Sequence, residues 1–447
     1  GPSAQAPGDG PEPTSLADSL AAMDTTAREY VSLVLELGTH DDGYVDAYYG
    51  PPEWRDMAEA EPRTIDEIAE RAAALAAEME ELSIAGSEGD PGAAPPSGGQ
   101  MAELRRVFLA KQLGAVAARA RIVGGETMSF DEESQVLYDA QAPHQTEEEF
   151  AATVEEIDGL IPGDGPLVDR LAAWREEFTI PPDKIDAVFQ AAIEACRERT
   201  AAHVRLPESE GFTVEYVTDQ PWSGYNWYQG DYQSLIQVNT ELPIRIDRAV
   251  DLACHEGYPG HHAFNMLLEK HLARDREWVE FMVYPLFSPM SLLAEGTANY
   301  GIEVAFPGEE RVAFERDVLF PLAGLDPARA EEYYAVGERM QALSFAGNEA
   351  ARLYLDGHVS GAQAVEWMER YALAPPERAE QRIRFLDTYR SYVINYNLGQ
   401  QLVREWVEAN GGTADDPERR WQVFTQLLTT PRTPSGIAVE EEGEAAE

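Results

Sequence analysis

The sequence predicts a mainly α, multi-helical protein with a small β-sheet or hairpin near its middle. Apolar residues recur at helical spacing through residues 16–83, 101–203 and 244–410. β-Branched and aromatic residues concentrate in two short runs, 213–217 and 234–240. Glycine and proline crowd the loop between the first two stretches and recur at breaks within the third.

The elements follow in order. The opening run GPSAQAPGDGPEPTS, residues 1–15, has the composition of a flexible spacer. It fits export to the periplasm or cell surface after removal of a signal peptide, and it fits a cytoplasmic location as well. Residues 16–203 read as an N-terminal helical lobe, in which Leu20, Met23, Ala27, Val31 and Val34 share one face. The loop SIAGSEGDPGAAPPSGGQ interrupts this lobe. Residues 204–430 form a second region, which could share one continuous fold with the lobe. It opens with strands Thr213–Val217 and Ser234–Thr240, and the run PWSGYNWYQGDY supplies turn chemistry between them. The stretch Leu235–Asn239 is a candidate edge for pairing with an extended peptide. Helices resume at Ile244 and break near Pro307–Gly308, Gly357 and Pro375–Pro376. Residues 431–447 are rich in acid and poor in aromatics, and are predicted to be disordered. No repeat of solenoid period occurs.

Composition narrows the function. A chain of 447 residues with 44% hydrophobic content can bury a sizeable core. With 81 acidic against 34 basic side chains the formal charge is −47, which repels phosphate backbones and anionic lipid. Nucleic acid partners and membrane insertion are therefore not expected. The longest uncharged stretch, Phe281–Ala294, is too short to span a bilayer. Such an acidic surface suits concentrated salt, where its self-repulsion is screened, so a halophilic setting is expected. The two cysteines, Cys196 and Cys254, can build neither a disulfide framework nor a thiolate zinc cluster, and Cys254 is expected to pack in the core.

Three of the eight histidines fall in one run, His255-Glu256-Gly257-Tyr258-Pro259-Gly260-His261-His262. In the zincin pattern H-E-x-x-H, two imidazoles one helical turn apart bind zinc, and the glutamate after the first acts on the metal-bound water. Here the position four residues on is Pro259. In a regular helix, at about 100° per residue, His261 points roughly 120° away from His255, and His262 lies about 10 Å further along the axis. The helix must therefore deform. Pro259 removes a donor and Gly260 tolerates unusual dihedrals, so the pair can bulge out two extra residues and bring His261 to the metal. A hydrolytic zinc usually takes a third protein ligand. Glu295, in the apolar stretch LLAEGTANYG, is a carboxylate that needs a cation. Asn299, one turn later, is placed to orient a ligand. A di-iron helical protein would need Glu-x-x-His pairs, and no histidine here has a glutamate three residues before it.

The run H-E-G-Y-P-G-H-H followed by A-E-G-T-A-N-Y resembles the bacterial family called domain of unknown function 885, whose members carry H-E-x-x-P-G-H and a later E-G. The likeness covers roughly residues 205–405, and the preceding lobe more loosely. It implies a gluzincin-like, multi-helical zinc peptidase with one zinc per chain, His255, His261 and Glu295 as ligands and Glu256 as base. The chain departs from the pattern at Thr297, where relatives carry a bulky aromatic, so the pocket's shape is not carried over. In gluzincin-like enzymes a tyrosine or histidine commonly supports the oxyanion. Tyr389, Tyr392 and Tyr396 share a helical face here. Tyr396 is favoured for that role, then Tyr392, then His358. His262 is expected beside the site and not as a ligand. The substrate expected is a peptide or small amide. A non-peptide amidase or esterase on the same zinc, or a catalytically silent metal-binding protein, remains the alternative.

Overall fold

The computed structural model describes residues 15–439 and is mainly helical with two small sheets. Residues 1–14 of the expected spacer and 440–447 of the expected tail lie outside the described residues. Within the described residues no helix is long and apolar enough to cross a membrane.

Three helices, Leu16–Gly38, Ile65–Glu81 and Gly98–Val123, build the first layer. The last two begin with reciprocal capping boxes, Thr64 with Glu67 and Ser97 with Gln100. Ser15, counted with the spacer by composition, accepts from the Asp18 N–H and caps the first helix. The predicted stripe is fully buried at Met23, Ala27, Val31 and Val34. One apolar core runs from Met23 through to Ile437, so the lobe and the second region share it.

Two contacts fix that union. Strand β1, Val45–Tyr48, pairs antiparallel with β5, Val283–Pro285, and carries Asp46 inward. Arg105, fully buried in the Gly98–Val123 helix, donates to both oxygens of Glu280 at 2.6 and 3.0 Å and to Asp24 at 2.7 Å. A guanidinium so enclosed is tolerable because its donors meet carboxylates in a fork.

The larger sheet has three strands, β2 Gly211–Val217, β3 Gly224–Gly230 and β4 Gln233–Asn239, in the order β2-β4-β3. β2 runs parallel to β4, and β3 antiparallel. This corrects two expectations. The run PWSGYNWYQGDY is mostly a strand: Tyr225, Trp227 and Tyr228 have strong β-preference, and the glycines that suggested a turn lie at its ends, Gly224 and Gly230. β4, expected as an edge, is central because β2 returns to cover its far side. The edge nearest the helices is β3.

Residues 431–439, expected to be disordered, are placed in the structure. Thr433 caps the short helix Pro434–Ile437, Ser435 N–H donates to Asp139 at 2.9 Å, and Ile437 is fully buried. The acid that predicted disorder is concentrated beyond the described residues. Finally, Cys196 on the helix Ile185–Ala201 and Cys254 are joined in a single disulfide with Cα atoms 5.7 Å apart. Cys254 is buried as expected, but as half of a bridge. Packing of two helices made the pair, and a separation of 58 residues in sequence gives no sign of it.

Candidate metal centre

The helix that begins at Asp247 opens into a π-turn over Ala253–Gly257, which carries His255. Tyr258 is extended, with φ −121° and ψ 126°, and a new helix starts at His261. The expected two-residue bulge in a continuous helix is thus a break between two helices. The break is shaped by Gly260. Its N–H donates to the Cys254 carbonyl at 2.9 Å, and a Cβ there would stand 1.9 Å from the His255 carbonyl oxygen. Only glycine lets the chain fold back so tightly. The outcome is the one the spacing required: the imidazoles of His255 and His261 lie 4.7 Å apart, edge to face.

Glu295 comes from the helix Pro289–Ala305, which crosses the helix Ile394–Ala409 at a pair of glycines. A Cβ on Gly296 would meet the Gly399 carbonyl at 2.4 Å. The close approach sets Glu295 and Asn299 against Tyr392 and Tyr396. Glu295 Oε2 lies 3.1 Å from His255 Nε2 and 3.4 Å from His261 Nε2, and one ligand atom from each of the three residues falls within 4.8 Å of the others.

Two observations show that this donor set fits a cation. Buried Oε2 of Glu295 has no hydrogen-bond partner, while Oε1 accepts from the Tyr392 hydroxyl at 2.8 Å. The orphaned oxygen is the one aimed between the imidazoles. Asn299 decides the His255 tautomer. Its Nδ2 donates to the Tyr396 carbonyl at 2.9 Å, so its Oδ1, 2.8 Å from His255 Nδ1, must accept. Nδ1 therefore carries a proton, which leaves Nε2, on the Glu295 side, as the nitrogen able to bind a cation. Two imidazole nitrogens and a carboxylate oxygen suit zinc.

Glu256 stands beside the triad and is only 4% exposed. Asn226 of β3 donates to its main-chain carbonyl at 2.8 Å. A Cβ on Gly224 would come within 3.0 Å of its Oε1, so the edge strand lies directly over the carboxylate. Burial pushes its pKa above the usual range and neighbouring Glu295 adds to this, against the pull of His255 and His261. His261 is pushed up to about 9: burial opposes the charge, but Glu295 outweighs it. Glu295 is held far below the usual carboxylate range despite its burial, because both imidazoles face it.

The remaining candidates separate clearly. Tyr396 lines the cavity with its ring 6.5 Å from His255, whereas the Tyr392 hydroxyl is committed to Glu295. His358 is exposed and away from the cavity wall. His262 is fully buried but turned away from the triad: its Nε2 donates to Glu210 at 3.1 Å and its Nδ1 accepts from Ser234 Oγ at 2.8 Å. Burial lowers its pKa, against the opposing pull of Glu210. Glu210 drops to about 2 because His262, Tyr258 and Arg197 all donate to it, outweighing its burial. His262 therefore pins the second helix to the sheet. Thr297 donates to the Leu293 carbonyl at 2.7 Å and does not line the cavity.

Sequence reasoning missed Asp46, Tyr225, Arg248, Arg378 and Arg382, which share the cavity of about 690 Å³ with the triad. Asp46 accepts from the Tyr225 hydroxyl, and burial pushes it up to about 6. No local pattern marks these residues; the β1–β5 pairing and the fold of the Pro376–Tyr389 helix bring them in.

No family model and no curated protein matches the chain. Among solved structures, "the putative lipoprotein from Colwellia psychrerythraea" is 15% identical with a TM-score of 0.51, and the match covers 84% of this chain and 66% of that one. The structure named BsuCP is 9% identical with a TM-score of 0.46, covering 92% of this chain and 91% of its own. The likeness to the first of these is one of fold alone.

Proposed function

We propose that the protein is a zinc-dependent hydrolase that cleaves peptide bonds. The observation that carries this reading is the convergence of His255, His261 and Glu295, with an orphaned carboxylate oxygen between two imidazoles, at the side of a cavity that also holds Glu256. The likeness of these motifs to the domain of unknown function 885 family points the same way.

Zinc held by those three residues would supply Lewis acidity and make a water acidic enough to give up its proton near neutral pH. Glu256 is the base that takes that proton. Its raised pKa suits it to hold the proton and then return it to the leaving amine. Asn299 keeps His255 in the tautomer that offers Nε2, and Tyr392 holds Glu295 through Oε1. Tyr396 presents a neutral phenol, its pKa kept high by burial, able to donate to an oxyanion. The edge strand β3 lines the cavity at Gly224, Tyr225 and Asn226 beside Glu256, where an extended peptide can add as a further strand. That favours a peptide over a compact ester or amide.

Digestion of a mixed peptide library, followed by mass spectrometry, tests this directly. Turnover should vanish on chelation, return with zinc, and fall by about 10²–10⁴ in Glu256→Gln at unchanged zinc content. Near-native turnover in a zinc-loaded Glu256→Gln sample would refute the mechanism. Turnover of esters or acetylated amines without peptides would move the protein to the amidase or esterase class.

A further inference from the structure

The cavity wall carries both signs of charge. Glu256, Glu295 and Asp46 line it with the candidate ligands, and Arg378 and Arg382 line it as well. These two arginines stand one turn apart on the helix Pro376–Tyr389 and so share a face. In a chain with 81 acidic residues and 34 basic ones, arginines readily find carboxylates, as Arg248 finds Asp251 at 3.2 Å and Arg311 finds Glu315 at 2.9 Å. Arg378 and Arg382 find none among the described residues. Arg378 donates only to the Pro243 carbonyl, at 3.3 Å, and Arg382 lies over the Phe385 ring at 5.3 Å. Both have lowered pKa values from burial, and Arg378 is further crowded by Arg245 and Arg248. Half-buried cations in a cavity, without counter-charge in so acidic a chain, fit an anion that arrives from outside.

Their place relative to the triad says which anion. Phe385 packs 6.2 Å from Tyr396, and Tyr396 packs 6.5 Å from His255, so a chain of ring contacts links Arg382 to the triad. A peptide residue spans about 3.3–3.6 Å when extended, so a chain with its reacting carbonyl at the triad reaches the arginines within a few residues. We propose that Arg382, supported by Arg378, binds the free α-carboxylate of a peptide substrate, making the protein a carboxypeptidase. This rests on the hydrolase reading of the same site and narrows its substrate class. Arg382 sets where the chain end stops; hydrolysis consumes one water and yields a shortened peptide and a free amino acid or short peptide.

The test uses the zinc-loaded full chain with one N-blocked peptide in two forms, free acid and C-terminal amide. The free acid should be cleaved with kcat/KM on the order of 10² higher. Arg382→Met should collapse that ratio towards one, chiefly through KM, and Arg382→Lys should restore part of it. Melting curves confirm that each variant is folded. In parallel, calorimetry on zinc-loaded Glu256→Gln reads affinity for the two forms without turnover, and should show the same preference. Equal cleavage of both forms would leave the hydrolase reading intact and overturn the carboxylate site. No turnover of either form would count against the hydrolase reading, and equal affinity in the calorimetric arm would then overturn the carboxylate site independently. Faster cleavage of an amidated peptide because it carries glutamate beside the scissile bond would assign the arginines to side-chain carboxylates and overturn the exopeptidase assignment.

Discussion

The helices Ile65–Glu81 and Gly98–Val123 and the paired helices around His255 are built from the same residue types on opposite terms. Each of the first two opens with a capping box, and the second runs unbroken for 26 residues. Around His255, a six-residue helix runs into a π-turn, the chain becomes extended, and the next helix starts without a side-chain cap. Polar groups follow the same division. The buried ion pair of Arg105 and Glu280 is internally satisfied, whereas Glu295 Oε2 is buried and faces only the two imidazoles, with no hydrogen bond of its own. Local rules are obeyed where only stability is at stake, and broken where His255, His261 and Glu295 converge.

Glycine offers the sharpest way to break this contrast. Gly260→Ala puts a Cβ 1.9 Å from the His255 carbonyl oxygen and 2.3 Å from that of Cys254, so the break must reopen and His261 must leave the triad. The expected outcome is loss of tight zinc binding, comparable to removal of a ligand in His255→Ala, His261→Ala or Glu295→Ala. Zinc retained after dialysis, read beside a melting curve, checks it. A folded Gly260→Ala protein with full zinc would show that the break does not set the ligand geometry.

The next effect in size is that of pH on the metal-free protein. His261 has its pKa raised from 6.5 to about 9, so its pairing with Glu295 stabilises the fold fully below pH ~6.5 and loses that contribution as pH rises through about 9. Glu295 has a lowered pKa, so its share is present above its ordinary 4.5 and is lost only in strong acid. Zinc must displace the His261 proton. Its affinity should therefore climb about tenfold per pH unit between 7 and 9, with one proton released, readable by calorimetry in buffers of different ionisation enthalpy. A flat affinity over that range would mean that His261 is already neutral.

Asn299→Ala sharpens the comparison further. It removes the acceptor that holds the proton on His255 Nδ1 while leaving all three ligands in place. Zinc affinity should weaken by about 10–100-fold. His262→Ala, which unpins the second helix from Ser234 and Glu210 but touches no ligand, should lower the melting temperature more than it lowers zinc stoichiometry.

What could be read from the sequence follows the same line. The first helices announced themselves by apolar period. That His255, His261 and Glu295 come together was legible from the clustered histidines and from a carboxylate set in an apolar helix. Asn299 followed from helical spacing. The kind of deformation did not, since proline and glycine together permit either a bulge or a break, and the choice depends on packing against the Pro289–Ala305 helix. β3 was hidden by the glycines at its ends. Asp46, Arg378 and Arg382 carry no local signature at all: their meaning lies in which carboxylates they do or do not meet, and only the fold decides that.

The smallest expected effect is also the control for the largest. Gly114 sits inside the helix Gly98–Val123, and a Cβ there would have nothing within 4 Å. Glycine in a helix interior costs about 0.5–1 kcal/mol relative to alanine, because its backbone loses more freedom on folding. Gly114→Ala adds no clash to offset that gain. It should therefore stabilise the protein by about that amount, seen as a small upward shift of the denaturant midpoint at constant slope. Zinc content should not change, because the residue is remote from every ligand. The same substitution at Gly260 should have the opposite sign and empty the metal site. If Gly114→Ala instead destabilised the protein, the helix Gly98–Val123 would be under a constraint that its regular geometry does not reveal, and the contrast between a lobe governed by local rules and a site that breaks them would lose its simplest support.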